Sequence, residues 1–176
     1  MERYPPTIPD DLELLVKPSV DADKQGRGYQ RHATTKLAIT TWISWLVAYL
    51  LQKDPNLNKI TVVAINPGGL IDSRALRTNT PMSMAVMQTL VLKPLLPLLR
   101  FLMGPTIRPA APAGVDVVDI ALDPKFAAER GFFTLLQKDE SSPESRDEQT
   151  QSRLWTQTLT WVKINKDNTL IPLGDT

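Results

Sequence analysis

Ile60-Thr61-Val62-Val63-Ala64-Ile65-Asn66, closed by Pro67-Gly68-Gly69-Leu70-Ile71-Asp72-Ser73, is the stretch on which the fold of this chain turns. An unbroken apolar, β-branched run of strand length predicts a strand covered on both faces, as in a parallel sheet flanked by helices. Pro67 and the two glycines stop it. A glycine-rich loop at the carboxyl end of such a strand is where open α/β sheets take up ligands.

Upstream, residues 31–52 are rich in Leu, Ala, Ile and Trp, contain no Gly or Pro, and stop before Asp54-Pro55, which predicts a long helix. It is apolar on nearly every face, so it needs cover on two sides, with Trp42 and Trp45 as core or subunit-contact residues. Residues 1–30 combine prolines, acidic residues, Gly26 and Gly28 with one short apolar patch at 12–16, and predict an extended or looped lead-in. Downstream, Thr80-Pro81 predicts a helix start with Thr80 as N-cap and Pro81 at the first helical position. The apolar helix it opens must break or kink at Pro94 and Pro97. A further helix is expected over residues 110–122 and a second strand over 132–136. Ser142-Pro143 is expected to open a final amphipathic helix carrying Leu154, Trp155, Leu159 and Trp161.

This order predicts an α/β fold with right-handed crossovers. Only two strands are clear, too few to cover helices this apolar, so the chain reads as the C-terminal part of a doubly wound parallel sheet. Its expected parts are the lead-in (1–30), the long helix (31–54), the strand and loop (59–73), helices (80–122), and the last strand with its helix (131–176), all within one partial domain.

Composition narrows the chemistry. The 176 residues carry 20 Lys+Arg against 19 Asp+Glu, and a net charge of +1 gives the chain as a whole no electrostatic footprint for nucleic acid. With no cysteine and His32 as the one histidine, thiolate nucleophiles, iron–sulfur clusters and histidine-based metal cages are excluded, and no metal site is expected. The first residues are polar and proline-rich rather than signal-like, so the expected compartment is the cytosol. Residues 37–51 fall short of the roughly 20 residues a spanning helix needs, and residues 83–103 are interrupted by Lys93, Pro94, Pro97 and Arg100. Both are expected to be buried helices, with no membrane span.

His32-Ala33-Thr34-Thr35-Lys36-Leu37-Ala38 sets positions 32 and 36 one helical turn apart on one face. Together with Asn66-Pro67-Gly68-Gly69 it resembles the short-chain dehydrogenase/reductases, whose Tyr-x-x-x-Lys opens a long helix and whose next strand ends in Asn-Pro-Gly or a close variant. The ending, with Arg130-Gly131-Phe132-Phe133, Ser141-Ser142-Pro143 and Leu154-Trp155, looks like fungal members of secondary metabolism. The resemblance covers essentially the whole chain. It implies an NADP(H)- or NAD(H)-dependent oxidoreductase acting on a hydroxyl or ketone of an apolar small molecule. It implies that Lys36 holds the nicotinamide ribose and tunes the acid–base group, that Pro67, Gly68, Gly69, Leu70, Asp72 and Ser73 form the nicotinamide-facing loop with Ser73 better suited than Asp72 to the carboxamide, and that residues 85–103 cover the substrate. A homo-oligomer is expected through the helix of 37–51.

Two departures qualify it. The family's catalytic tyrosine position is His32, an imidazole that exchanges protons near neutrality but is shorter than a phenol. The family's cofactor-binding glycine turn has no counterpart before Arg31, which removes the usual anion site for a pyrophosphate. Tyr29 lies two turns from Lys36, and Ser19 sits in Lys17-Pro18-Ser19 rather than at a strand end, so neither restores the pattern directly. Two other readings follow: a non-catalytic remnant or interaction protein, and an isomerase or dehydratase with His32 as its base.

Overall fold

The computed structural model describes residues 4–46, 55–74, 80–169 and 173. The fold is α/β, and the described residues fall into two compact units, Met1–Val62 with Glu140–Thr176, and Val63–Asp139.

The first unit is helical. Helix α1 spans Glu13–Val16 and helix α2 spans Lys24–Trp45. The lead-in is therefore not looped up to residue 30. The carboxylate of Asp23 caps α2 by accepting from the Gly26 amide at 2.9 Å, so the helix begins about two turns before the expected start at residue 31. Its expected continuation through Gln52 lies outside the described residues. One face of α2 presents Thr34, Leu37 and Thr41 to the interior, where Leu37 joins Ile8, Leu12 and Leu154. Trp42 lies at 5.0 Å from the ring of Trp155, a core role shared by Trp45 beside Leu159. Cover thus comes on one side of the helix within this unit, and the opposite side is exposed.

The closing helix, labelled α6 in chain order, spans Glu148–Val162, and it starts later than Ser142. Ser142 caps a short 3-10 turn at Pro143–Arg146 instead, and Asp147 caps the helix by accepting from the Thr150 amide at 2.7 Å. The turn is fastened to the lead-in, since Glu144 Oε1 accepts from the Ile8 amide at 2.6 Å and the Thr7 hydroxyl at 3.0 Å. Lys163, in the left-handed region at φ 56°, ends the helix with its amide on the Leu159 and Thr160 carbonyls.

Among the described residues the second unit holds five strands rather than two. Strand β1 (Val63–Asn66) pairs in parallel with β4 (Gly131–Thr134), which pairs antiparallel with β5 (Gln137–Asp139). Two short strands, β2 (Gly69–Leu70) and β3 (Ile107–Arg108), form a separate parallel ladder. β1 begins at Val63, because Leu57–Ile60 is taken up by a turn closed from the Ile60 amide to the Leu57 carbonyl. It is half-buried rather than buried on both faces, being an edge with one partner among the described residues. Between the strands lie α3 (Met82–Met87), a π-helical turn (Gln88–Leu92), α4 (Leu96–Met103) and α5 (Ala110–Leu122), the last at the bounds the sequence predicts. Pro81 rather than Thr80 takes the N-cap position of α3, with extended geometry at ψ 144° and no capping side chain. The helices of 83–103 are not buried: Met82, Leu90 and Phe101 are among their most exposed residues. No single described helix is long and apolar enough to cross a membrane.

The α6 cap gives a stability prediction. The Thr150 hydroxyl and amide hold the Asp147 carboxyl below its usual range, so its stabilising contribution is full above the ordinary carboxylate value near 3.8 and fades as pH falls through the folded value. Asp147→Ala is expected to lower Tm at neutral pH and to differ less from wild type in strong acid, measured by thermal unfolding across pH.

Candidate functional site

The loop after β1 is shaped almost wholly by bonds from its own unit. Asn66 Oδ1 accepts from the Gly68 amide at 3.0 Å, an Asx turn that reverses the strand. Gly68 sits at φ +86°, and a Cβ there would strike the Thr106 carbonyl. That close approach lets the Gly69 amide donate to Thr106 O at 2.8 Å and the Ile71 amide to Arg108 O at 3.2 Å, which is the β2–β3 ladder. Arg108 is the loop's main fastening. Its Nε donates to the Pro67 carbonyl at 2.9 Å, while Nη2 lies 2.6 Å from Asp116 Oδ2 on α5, at ion-pair distance but off hydrogen-bond alignment.

Two further contacts complete the frame. Asp72 Oδ1 accepts from the Ala110 amide at 2.6 Å, tying the loop to the first turn of α5. Gln88, 0% exposed, donates from Nε2 to the carbonyls of Ile71 at 2.8 Å and Ser73 at 3.3 Å. It stands at the head of the π-helical turn, whose widened register closes from the Lys93 amide to the Gln88 carbonyl. The hydroxyl of Ser73 is not engaged among the described residues, whereas its amide donates to Leu70 O.

The other predicted residues lie in the helical unit. Tyr29, His32 and Lys36 recur at one- and two-turn spacing on α2, on the face opposite Thr34 and Thr41. All three are exposed, and neither His32 nor Lys36 has a side-chain partner among the described residues. Gly28 does not bend the helix, so Tyr29 and Lys36 stay two turns apart. Ser19 lines a cleft of about 280 Å³ with Asp21, Arg31, Thr34 and Thr35, and its carbonyl accepts from Arg31. Neither His32 nor Lys36 lines that cleft. No group of three or more His, Asp or Glu suited to a metal occurs among the described residues.

Against a nicotinamide dinucleotide each unit, taken by itself, offers one suitable side chain. The Ser73 hydroxyl and the Lys36 ammonium are uncommitted groups of the right kind for a carboxamide and a ribose hydroxyl. The amides of Gly68, Gly69, Ile71 and Ser73 are spent on Asn66, Thr106, Arg108 and Leu70. At the turn from β3 into α5, the Ala110 amide is already taken by Asp72.

The sequence profile described as the AcuH dehydrogenase domain matches residues 74–171. The chain belongs to that family. The match begins after His32, Lys36 and the Pro67–Ser73 loop, and takes in Gln88, Arg108 and Asp116. The chain is 46% identical over 89 residues to a protein named Dehydrogenase acuH from Aspergillus aculeatus, covering 51% of this chain and 90% of that one. It is 28% identical over 172 residues to a protein named Short-chain dehydrogenase iccH from Talaromyces variabilis, covering 93% of this chain and 46% of that one. The resemblance to the short-chain dehydrogenases is thereby borne out, and the chain spans about half the length of that second relative.

Sequence reasoning missed Gln88, Arg108 and Asp116. The signal for Gln88 was present as one amide among Met84, Ala85, Val86, Met87, Leu90 and Val91. For Arg108 and Asp116 the pairing depends on β3 leading into α5, which sequence spacing alone did not disclose.

Gly68→Ala is expected to cost about 2 kcal/mol or more, from the left-handed φ and the collision with Thr106. Chemical denaturation measures it. Asp116→Asn, which strips a partner from a largely buried guanidinium, is expected to cost about 3 kcal/mol in the same assay, and Arg108→Met combined with Asp116→Leu is expected to cost less than either single change.

Proposed function

We propose that this chain is the carboxyl-terminal part of a Rossmann-like, doubly wound dehydrogenase that uses NADP(H) or NAD(H) on a hydroxyl or ketone of an apolar small molecule, in secondary-metabolite biosynthesis and in the cytosol. The observation that carries the reading is β1: an apolar, β-branched strand, parallel to β4, with one partner among the described residues and a glycine loop at its carboxyl end. Such a strand is suited to the interior of a wider sheet, where a further parallel strand would take its free edge. The name carried by the Talaromyces relative, together with its greater length, supports this.

A bound dinucleotide would supply or accept the hydride. Within the chain, Lys36 would hold a ribose hydroxyl by its ammonium, and Ser73, beside Pro67, Gly68, Gly69, Leu70 and Asp72, would orient the carboxamide. His32 would exchange the proton with the substrate oxygen, one turn from Lys36. Residues 37–51, whose described part includes the exposed Ile39 on α2, would serve a homo-oligomer.

The test is nicotinamide-linked oxidation of apolar secondary alcohols by the native-length protein, followed by absorbance. Lys36→Ala is expected to lower kcat/KM about a hundredfold or more, and His32→Tyr to raise reductase activity; kinetics unchanged by Lys36→Ala would remove it from the mechanism. One observation favours a second reading, a scaffold that has given up hydride transfer: the loop's amides are committed internally. On that reading NADPH fluorescence is unmoved by the native-length protein at any concentration.

A further inference from the structure

Residues 82–102 are built inside out. The one fully buried side chain of α3 and its π turn is an amide, Gln88 at 0% exposure, while Met82 is 83% exposed, Leu90 69% and Phe101 86%. Met82, Val86 and Leu90 recur at one-turn intervals along one exposed stripe, and Leu98, Phe101 and Leu102 form another on α4. A helix facing water has the reverse arrangement. Gln88 holds this segment to the loop by its bonds to Ile71 and Ser73, so its apolar stripes are presented from a fixed platform.

The charge pattern says what the surface fits. From Ser73 to Val115 the sequence contains no Asp or Glu, while Arg74, Arg77, Lys93, Arg100 and Arg108 are cationic. Arg108 is committed to Asp116. Arg74, Lys93 and Arg100 are exposed and have no ion pair among the described residues. Taken together, Met82–Leu92 and Leu96–Leu102 have the length and hydropathy of a membrane segment, yet they are bent by 82° at the break between them. That shape suits lying in an interface better than crossing it. The polar group on the exposed side of the π turn, the Thr89 hydroxyl, is already bonded to the Ala85 carbonyl at 3.0 Å, which leaves little for a polar protein surface to read.

We propose that the α3–α4 face docks on an anionic lipid bilayer surface, with Met82, Leu90 and Phe101 in the acyl boundary and Lys93 and Arg100 on acidic headgroups. The interaction is peripheral, and it holds whether or not the chain performs hydride transfer.

Vesicle co-sedimentation of the purified full chain tests it, using phosphatidylcholine alone and phosphatidylcholine containing phosphatidylserine. The chain is expected to sediment with the phosphatidylserine vesicles, less with neutral ones, and progressively less as salt rises. Lys93→Glu with Arg100→Glu is expected to weaken this binding about tenfold or more. Leu90→Asp with Phe101→Asp is expected to do the same, and because all four side chains are exposed, the unfolding midpoint should stay unchanged. Absence of binding to phosphatidylserine vesicles overturns the proposal, as does binding that survives both double variants. A dimer in size-exclusion chromatography that Leu90→Asp with Phe101→Asp makes monomeric, without vesicle binding, overturns it in favour of a second copy on this face.

Discussion

The guanidinium of Arg108 reaches in two directions from a two-residue strand, to the Pro67 carbonyl and to the Asp116 carboxylate. A cation so little exposed is tolerable only with its counter-charge and acceptors in place. That requirement sets much of the second unit. It brings β3 against β2, since the Arg108 carbonyl takes the Ile71 amide, and it fixes the side of α5 that faces the loop. The ladder in turn brings the Thr106 carbonyl so near Gly68 that only a glycine fits there. Asp72, accepting from the first turn of α5, and Gln88, reaching in from the π turn, then close the frame.

A consequence is that the loop's polarity is directed inward. Glycines at the carboxyl end of a parallel strand are commonly read as a backbone laid open to a ligand. Here Gly68 serves a contact between two chain segments, and the amides around it are occupied. The groups left for chemistry are side chains, the Ser73 hydroxyl in one unit and the Lys36 ammonium with the His32 imidazole in the other. The family profile covers Gln88, Arg108 and Asp116 and starts beyond all three of those groups, so the matched region is the framework rather than the candidate chemistry.

Local signals in the sequence were legible where a single element satisfied itself. Helix α5 appears at the bounds its periodicity predicts, β1 lies inside its predicted run, and β4 overlaps its own, starting one residue early and ending at Thr134. Boundaries failed where a side chain from just outside the apolar pattern took control. Asp23 starts α2 about two turns early, and Asp147 starts α6 late because Ser142 is diverted to a 3-10 turn. Strands β2, β3 and β5 escaped notice because two or three residues carry no period, and their pairing is decided by partners far along the chain. Burial of residues 83–103 was expected from hydropathy, which measures what a side chain prefers and not what lies beside it.

The sequence by itself determined the α/β class, the family and the pairing of His32 with Lys36 on one helical face, because helix geometry and a strand-stopping Pro-Gly-Gly act within a few residues. It also determined the absence of cysteine chemistry. The tertiary structure alone decided that Asp72 is tied to the first turn of α5, that Gln88 is the buried latch of the loop, and that Met82, Leu90 and Phe101 face outward. Each of those outcomes depends on a contact between segments about fifteen or more residues apart, where burial and hydrogen-bond satisfaction outweigh local preference.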